Sequence, residues 1–371
     1  MHWALQTLWF ERRRYFPGVL AVAFSALLIA LQVGIFWGLI SVVSVPIVHS
    51  SADVWITYPG AKSIDLGRAI PNYWRDRVLA LPEIERDDQY IQGMAVWKTD
   101  QEETELTIVA GMTVADHTLG PIKTLTPELR AALEEPGTIV IDAADAHRLS
   151  VTQVGQAGQI NNHPVRVVGF MTGMSSLTGP YSMCSLATAR RLLSLRDDQA
   201  TFILAKCKDP ADAAKVVDRL NEFRKFTAHE SQQFALQSKV HWLTKTKAGA
   251  AVAFIAVLGL LVGAVVTSQT LYAATAASSK ELAVLVALGI PRGRIQSFIL
   301  MQSLLVGLFG LAIGIPGSLI FGAIARSVGT NADLAWWILY STSAITLLMA
   351  LASGFFAMRS LRLAEPTSLL R

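Results

Sequence analysis

Four uncharged apolar runs, one near the N-terminus and three in close succession at the C-terminus, decide most of what this chain can become. Gly18 to Val48, Gly249 to Ser279, Ile295 to Ala325 and Leu334 to Met358 contain no charged side chain. Each exceeds the roughly 20 helical residues that cross a hydrocarbon core about 30 Å thick. The 52% of residues that are hydrophobic gather in these blocks, so the chain reads as a membrane protein. One interval, His49 to Ala248, is long enough to build a core of its own.

That interval holds 22 Lys and Arg against 24 Asp and Glu and is nearly neutral, so the basic excess lies in the short flanks. Arg12 to Arg14 precede the first run, Lys280, Arg292 and Arg294 lie between the second and third, and Arg359, Arg362 and Arg371 follow the fourth. With four spans all three clusters fall on one side, which places both termini and the short loop in the cytoplasm and the large interval outside. A cleaved signal peptide is the competing reading of the first run. Its 31 uncharged residues far exceed a signal core of about 7 to 15. As one helix the run would measure about 46 Å, longer than the bilayer core, so its end is expected to project as a stalk.

The expected organisation is a cytoplasmic interfacial helix at 1–16, a first span with stalk at 17–48, an external α+β domain at 49–228 and a stalk with second span at 229–272. A cytoplasmic loop at 273–294, spans at 295–325 and 334–358, and a tail at 359–371 complete it. Leu5, Leu8, Trp9 and Phe16 near helical spacing suggest the interfacial helix, with an irregular basic flank as the alternative. Within the external domain, Ala52 to Tyr58, Tyr90 to Trp97, Glu105 to Ala110, Thr138 to Asp142 and Thr201 to Cys207 read as strands. So do Gln159 to Ile160 and Val165 to Phe170 about the Asn161-Asn162 turn. Arg75 to Leu81, Ala143 to Leu149, Leu186 to Leu195 and Pro210 to Phe223 read as helices, the last with Ala214, Val217 and Leu220 on one face. His229 to Lys247 lacks Pro and Gly and is expected to continue the second span outward.

Gly259 and Gly263 in the second run, and Gly310 and Gly314 in the third, recur at the four-residue step that lets helices approach closely in lipid. That step serves either packing within the chain or an interface between subunits. No run has a charge at its centre, which argues against a proton relay or ion-coupled transport. No Gly-Lys dipeptide occurs, so a phosphate-cradling P-loop is absent, as are Gly-x-Ser-x-Gly and His-Glu-x-x-His. The chain is expected to be no enzyme, with no metal, cofactor or nucleic acid of its own. Cys184 and Cys207 allow one disulfide or two buried thiols.

The loop Ser279 to Ile295 reads SKELAVLVALGIPRGRI. Lys280 and Glu281 open a short apolar helix, Gly289 suits a left-handed cap, and Pro291 stops it. Leu282, Leu285 and Leu288 would face water unless a partner or the membrane surface covers them. Here the chain resembles the permeases of the MacB/FtsX superfamily of ABC transporters, most closely the DevC-like branch. It shares their one-plus-three layout and a loop matched by Lys280, Glu281, Ala283, Leu285, Ala287 and Gly289. The closing Glu365-Pro366 and Leu370-Arg371, and Val151 to Gly155 with Val165 to Gly169 in a MacB-like periplasmic domain, are also similar. Val286 and Pro291 stand where many relatives carry Arg and Ser or Thr.

The resemblance implies a permease in the bacterial inner membrane, working as a pair of copies with a separate ABC ATPase that binds ATP and Mg. A periplasmic adaptor of the membrane-fusion type and membrane lipids are further implied partners. Motion would pass from the ATPase through the coupling helix and stalks to the external domain, a mechanotransmission exporter. An FtsX-like scaffold that activates an external cell-wall hydrolase is the alternative.

Overall fold

The computed structural model describes residues 10, 12–99, 103–121, 125–174, 176, 178–277, 290–327 and 333–363. The chain divides into two compact units, residues 1–39 with 250–371, and residues 40–249.

The first unit is built on α1 (Arg12–Val42), α8 (Lys247–Ala277), α9 (Arg292–Ser327) and α10 (Trp336–Leu363), each long and apolar enough to cross a membrane. α1 is its organising helix. A Cβ at Gly259 or Gly263 of α8 would meet Gln32 at 2.9 Å or Ile29 at 3.2 Å. A Cβ at Gly310 of α9 would meet Val22 at 2.5 Å, and one at Gly314 the Ala23 carbonyl oxygen at 2.7 Å. Both glycine steps therefore face α1, whose Val22, Ala26, Ile29 and Ala30 are buried. α10 packs on α9, where Gly307 lies against Leu347 and Ala350. The Asp333 N–H donates to the Gly34 carbonyl at 3.1 Å, and Trp37 meets Trp337 edge-on at 4.9 Å. Trp336 and Tyr340 beside them are exposed, the residue types that gather where a span meets a membrane surface. From Tyr15 to Trp37 the helix rises about 33 Å, close to the thickness of a hydrocarbon core.

The second unit is two lobes sharing one long strand, with a separate two-stranded sheet of β2 (Ile70–Pro71) and β9 (Gln199–Ala200) and a short helix α4 (Pro127–Ala132). β1 (Val54–Thr57), β3 (Ile84–Lys98), β10 (Phe202–Cys207) and β11 (Thr227–Glu230) form an antiparallel sheet in the order β11-β1-β10-β3. α3 (Trp74–Leu79) connects β1 to β3 and α6 (Ala213–Asn221) connects β10 to β11, the split βαβ plan. Trp74, Val78, Val216, Val217 and Leu220 cover one face of that sheet over Val54, Ile56 and Ile203. The outer edge of β11 is blocked by Asn221, whose side-chain amide donates to and accepts from the Ala228 backbone. That removes a ready site for strand addition.

The second lobe is inserted between β3 and β10. β4 (Thr104–Met112), β8 (Tyr181–Ser185), β5 (Thr138–Asp142), β7 (His163–Met171) and β6 (Ala157–Ile160) continue the sheet from β3. β6 then pairs with the far end of β3, Trp97 opposite Ile160, which closes a six-stranded ring. Side chains from every ring strand, among them Trp97, Val109, Ile141, Ile160, Val167 and Cys184, converge in one cluster with α5 (Leu186–Leu192). Asn161 and Asn162 both take positive φ, 48° and 65°, the two-residue turn that suits a hairpin's twist. Asn161 also accepts from the Val96 N–H and donates to the Leu192 carbonyl, tying the turn to β3 and α5.

Several sequence expectations are corrected. Residues 12–16 belong to the same helix as the first span, which runs through Pro17, so no boundary falls at residue 16; 1–9 lie outside the described residues. Residues 143–149 form turns rather than a helix, ending at Ser150 with φ 54°. α6 turns Ala213, Val216, Val217 and Leu220 inward and leaves Ala214 exposed, because a 3-10 turn at Pro210–Asp212 shifts its start. Of the two alternatives for Cys184 and Cys207, the structure has the two buried thiols: both are free and lie in different clusters. Burial pushes both thiols up, Cys207 to about 11 with Asp53 adding to it, so neither is a ready nucleophile.

Candidate transmission site

The uncharged run 18–48 is not one helix. α1 stops at Val42, and α2 (Val45–His49) starts afresh after Ser44 with Pro46 in its first turn. His229 to Lys247 is likewise not continuous with the second span: His229 lies in β11, and α7 (Ser231–Lys245) ends at Thr246, whose φ of −99° and ψ of 143° are extended. The Thr246 hydroxyl donates to the Trp242 carbonyl at 2.6 Å and accepts the Gly249 N–H at 2.9 Å. One side chain thus closes α7 and caps α8. Gly249 is needed beside it, since a Cβ there would lie 2.4 Å from the Trp242 carbonyl oxygen.

α2 and α7 touch each other, and both are built into the sheet face opposite α3 and α6. Phe234 of α7 is fully buried, its ring centroid 5.9 Å from Trp55, 6.3 Å from Phe202 and 4.8 Å from His229. Ile47 of α2 joins the same cluster. Polar contacts fix the ends: the Ser231 N–H donates to the Asp53 carbonyl, its hydroxyl to the Ala52 carbonyl, and Ser238 accepts the Ile64 N–H. Where α2 hands over to the sheet, the Ser51 N–H donates to the Leu119 carbonyl.

Leu119 is itself held by Asp88 of β3. That carboxylate, 9% exposed, accepts from the Thr113 and Thr118 hydroxyls and the Gln89 and Leu119 N–H groups. Asp88→Ala would leave two buried backbone donors without a partner and is expected to lower stability by about 3 kcal/mol. Urea denaturation of the full chain in detergent would show it, and a loss under about 1 kcal/mol would remove Asp88 as the anchor of this loop.

Among the described residues no group of three or more His, Cys, Asp or Glu could hold a metal ion. A crevice of about 390 Å³ is lined within one loop by Tyr58, Asp65, Leu66 and Arg68, with the Arg68 guanidinium 5.4 Å from the Tyr58 ring centroid. Lys280, Glu281, Leu282, Ala283, Leu285, Leu288 and Gly289, expected from the sequence to couple to an ATPase, lie outside the described residues. Their flanks are described: α8 ends at Ala277, and Pro291 accepts the Arg294 N–H as α9 begins.

Asp88, Phe234 and Thr246 were not singled out by sequence. Thr246 three residues before Gly249 carries a capping signal, whereas the partners of Asp88 and Phe234 are remote in sequence and leave no local trace.

Two family profiles match the chain: the MacB-like periplasmic core domain over residues 19–223 and the FtsX-like permease C-terminal domain over 253–366. A Methanocaldococcus jannaschii protein described as an ABC transporter permease is 25% identical over 245 residues, 62% of this chain and 61% of that protein. The chain therefore spans less than two thirds of that relative's length. Among solved structures, the periplasmic region of MacB from Actinobacillus actinomycetemcomitans is 12% identical, with a TM-score of 0.35, over 51% of this chain and 94% of that one. The extracellular domain of the transporter YknZ from Gram-positive bacteria is 10% identical, with a TM-score of 0.34, over 48% of this chain and 99% of that one.

Proposed function

This chain belongs to the MacB/FtsX family of ABC transporter permeases, and from that premise we propose that it is the permease subunit of an ATP-driven exporter that works by mechanotransmission. Two copies act with two separate ATPase subunits, which bind ATP and Mg; both termini and residues 273–294 are cytoplasmic, and residues 49–228 lie outside. Leu282, Leu285 and Leu288 form the apolar face that an ATPase covers. A periplasmic adaptor of the membrane-fusion type receives the motion on the far side. The observation that carries this reading is the docking of α2 and α7 in the core of the external domain. These two segments follow the first span and precede the second along the chain, so each span leads directly into a helix rooted in that domain's sheet. The breaks at Ser44 and Thr246 set where each span hands over to its root.

Leu285→Asp or Gly289→Asp is expected to abolish co-purification with the ATPase while the protein still inserts in the membrane. A charge on the covered face carries a desolvation cost that the partner has no means to offset. Unchanged ATPase recovery with both variants would overturn the coupling assignment. Recovery of a cell-wall hydrolase on the external domain, with neither adaptor nor cargo, would favour the scaffold reading instead.

A further inference from the structure

The face-to-face stack between His229 and Phe234 joins the sheet to α7 through a titratable ring. His229 sits on β11 opposite Trp55 and is 8% exposed; its ring lies 4.8 Å from that of Phe234 at an interplanar angle of 14°. Its Nε2 is buried with no hydrogen-bond partner. Charged and titratable groups lie on the elements around it: Glu230 on β11, Asp53 beside β1, Lys62, Asp65 and Arg68 in the 58–68 loop, His49 on α2, Lys215, Asp218 and Arg219 on α6, and Lys239, His241 and Lys245 on α7. Burial lowers the pKa of His229, and a hydrogen bond with the Ala61 backbone opposes that in part.

We propose that His229 is an acid-sensitive latch, holding α7 against the sheet while its imidazole is neutral and releasing it when the ring is protonated. The neutral ring can leave Nε2 bare, because an unprotonated nitrogen needs no acceptor as strictly as a charged N–H does. Protonation puts a donor on that buried atom and a charge in an apolar cluster with no carboxylate acting on it. The cation's attraction to the Phe234 face returns part of this cost. The new Nε2–H, however, lies in the ring plane and points away from that face.

The sign follows from burial. The folded-state pKa is held below the ordinary value near 6.5, so the stability contributed by docking is complete above that value. It falls as pH drops below it and levels off once pH passes the folded-state pKa. Because α7 leads into the second span, acid outside the membrane would loosen one root of the transmission path. That last consequence rests on the function proposed above; the latch does not.

Hydrogen exchange of the full chain in lipid nanodiscs tests it, comparing protection of residues 231–245 at pH 7.5 and 5.0 after correction for the intrinsic exchange rate. The native chain is expected to lose about three- to tenfold of that protection on acidification. His229→Gln and His229→Phe, which cannot titrate, should keep the same protection at both pH values. An acid loss that persists in whichever variant folds, or no acid loss in the native chain, would overturn the latch. Neither outcome touches ATPase binding, so this test stands apart from the test of function.

Discussion

Phe234→Ala is expected to lower the stability of the external domain by about 3–5 kcal/mol and, on the function proposed above, to uncouple it from the membrane helices without releasing the ATPase. The ring is fully buried against Trp55, Phe202 and His229, three side chains from three strands, so truncation leaves a void that no single neighbour can fill. Large-to-small changes at such sites lose both the transfer free energy and the cavity term. Phe234→Leu keeps most of the volume and should lose far less, on the order of 1 kcal/mol. Denaturant unfolding of the full chain in detergent measures the difference, and ATP-driven export in reconstituted membranes reads the uncoupling. A loss under about 1 kcal/mol for the alanine variant would mean that α7 is not seated by this ring.

How much of this was legible in the sequence depends on the range of the interactions. The membrane helices announce themselves, because absence of charge over 25 or more residues is a property of one segment; α9 covers the expected run 295–325, and α10 all but the first two residues of 334–358. The Asn161-Asn162 hairpin was equally legible, since two residues tolerant of positive φ sit between alternating apolar positions. The inserted ring was not. Its closure depends on Trp97 finding Ile160, and β8 is paired in parallel with β4 across a separation no local pattern encodes.

The stems show a second kind of failure. Gly18 to Val48 carries no charged residue and His229 to Lys247 no Pro or Gly, so continuity of composition suggests continuity of helix. Tertiary contacts decide otherwise. His229 is drawn into β11 by pairing with Trp55, and Phe234 is drawn into the sheet's core, so α7 must begin after residue 230. Ser44 with Pro46, and Thr246 with Gly249, are the local signals that permit the breaks, each a start signature embedded in an apolar or polar run. The glycine steps at 259/263 and 310/314 were legible as close-approach sites, but their common partner, α1, could be known only from the packing.

That packing makes Gly314→Leu the most damaging single change expected in the membrane unit. A Cβ at Gly314 lies 2.7 Å from the Ala23 carbonyl oxygen and 3.0 Å from the Ala26 Cβ. The first of these is backbone, so no rotamer change relieves it and α9 must withdraw from α1. Overpacking costs about 1–3 kcal/mol where side chains can adjust, and here they cannot, so roughly 3 kcal/mol or more is expected. Gly293→Leu is the matched control, since nothing lies within 4 Å of its Cβ position. A disulfide between cysteines introduced by Leu27→Cys and Gly317→Cys, neighbours across the same helix pair, reports the approach directly. Crosslinking should be efficient in the parent and in Gly293→Leu but fall several-fold in Gly314→Leu. Efficient crosslinking in all three, combined with a loss of self-association only in Gly314→Leu, would assign this glycine step to an interface between copies instead.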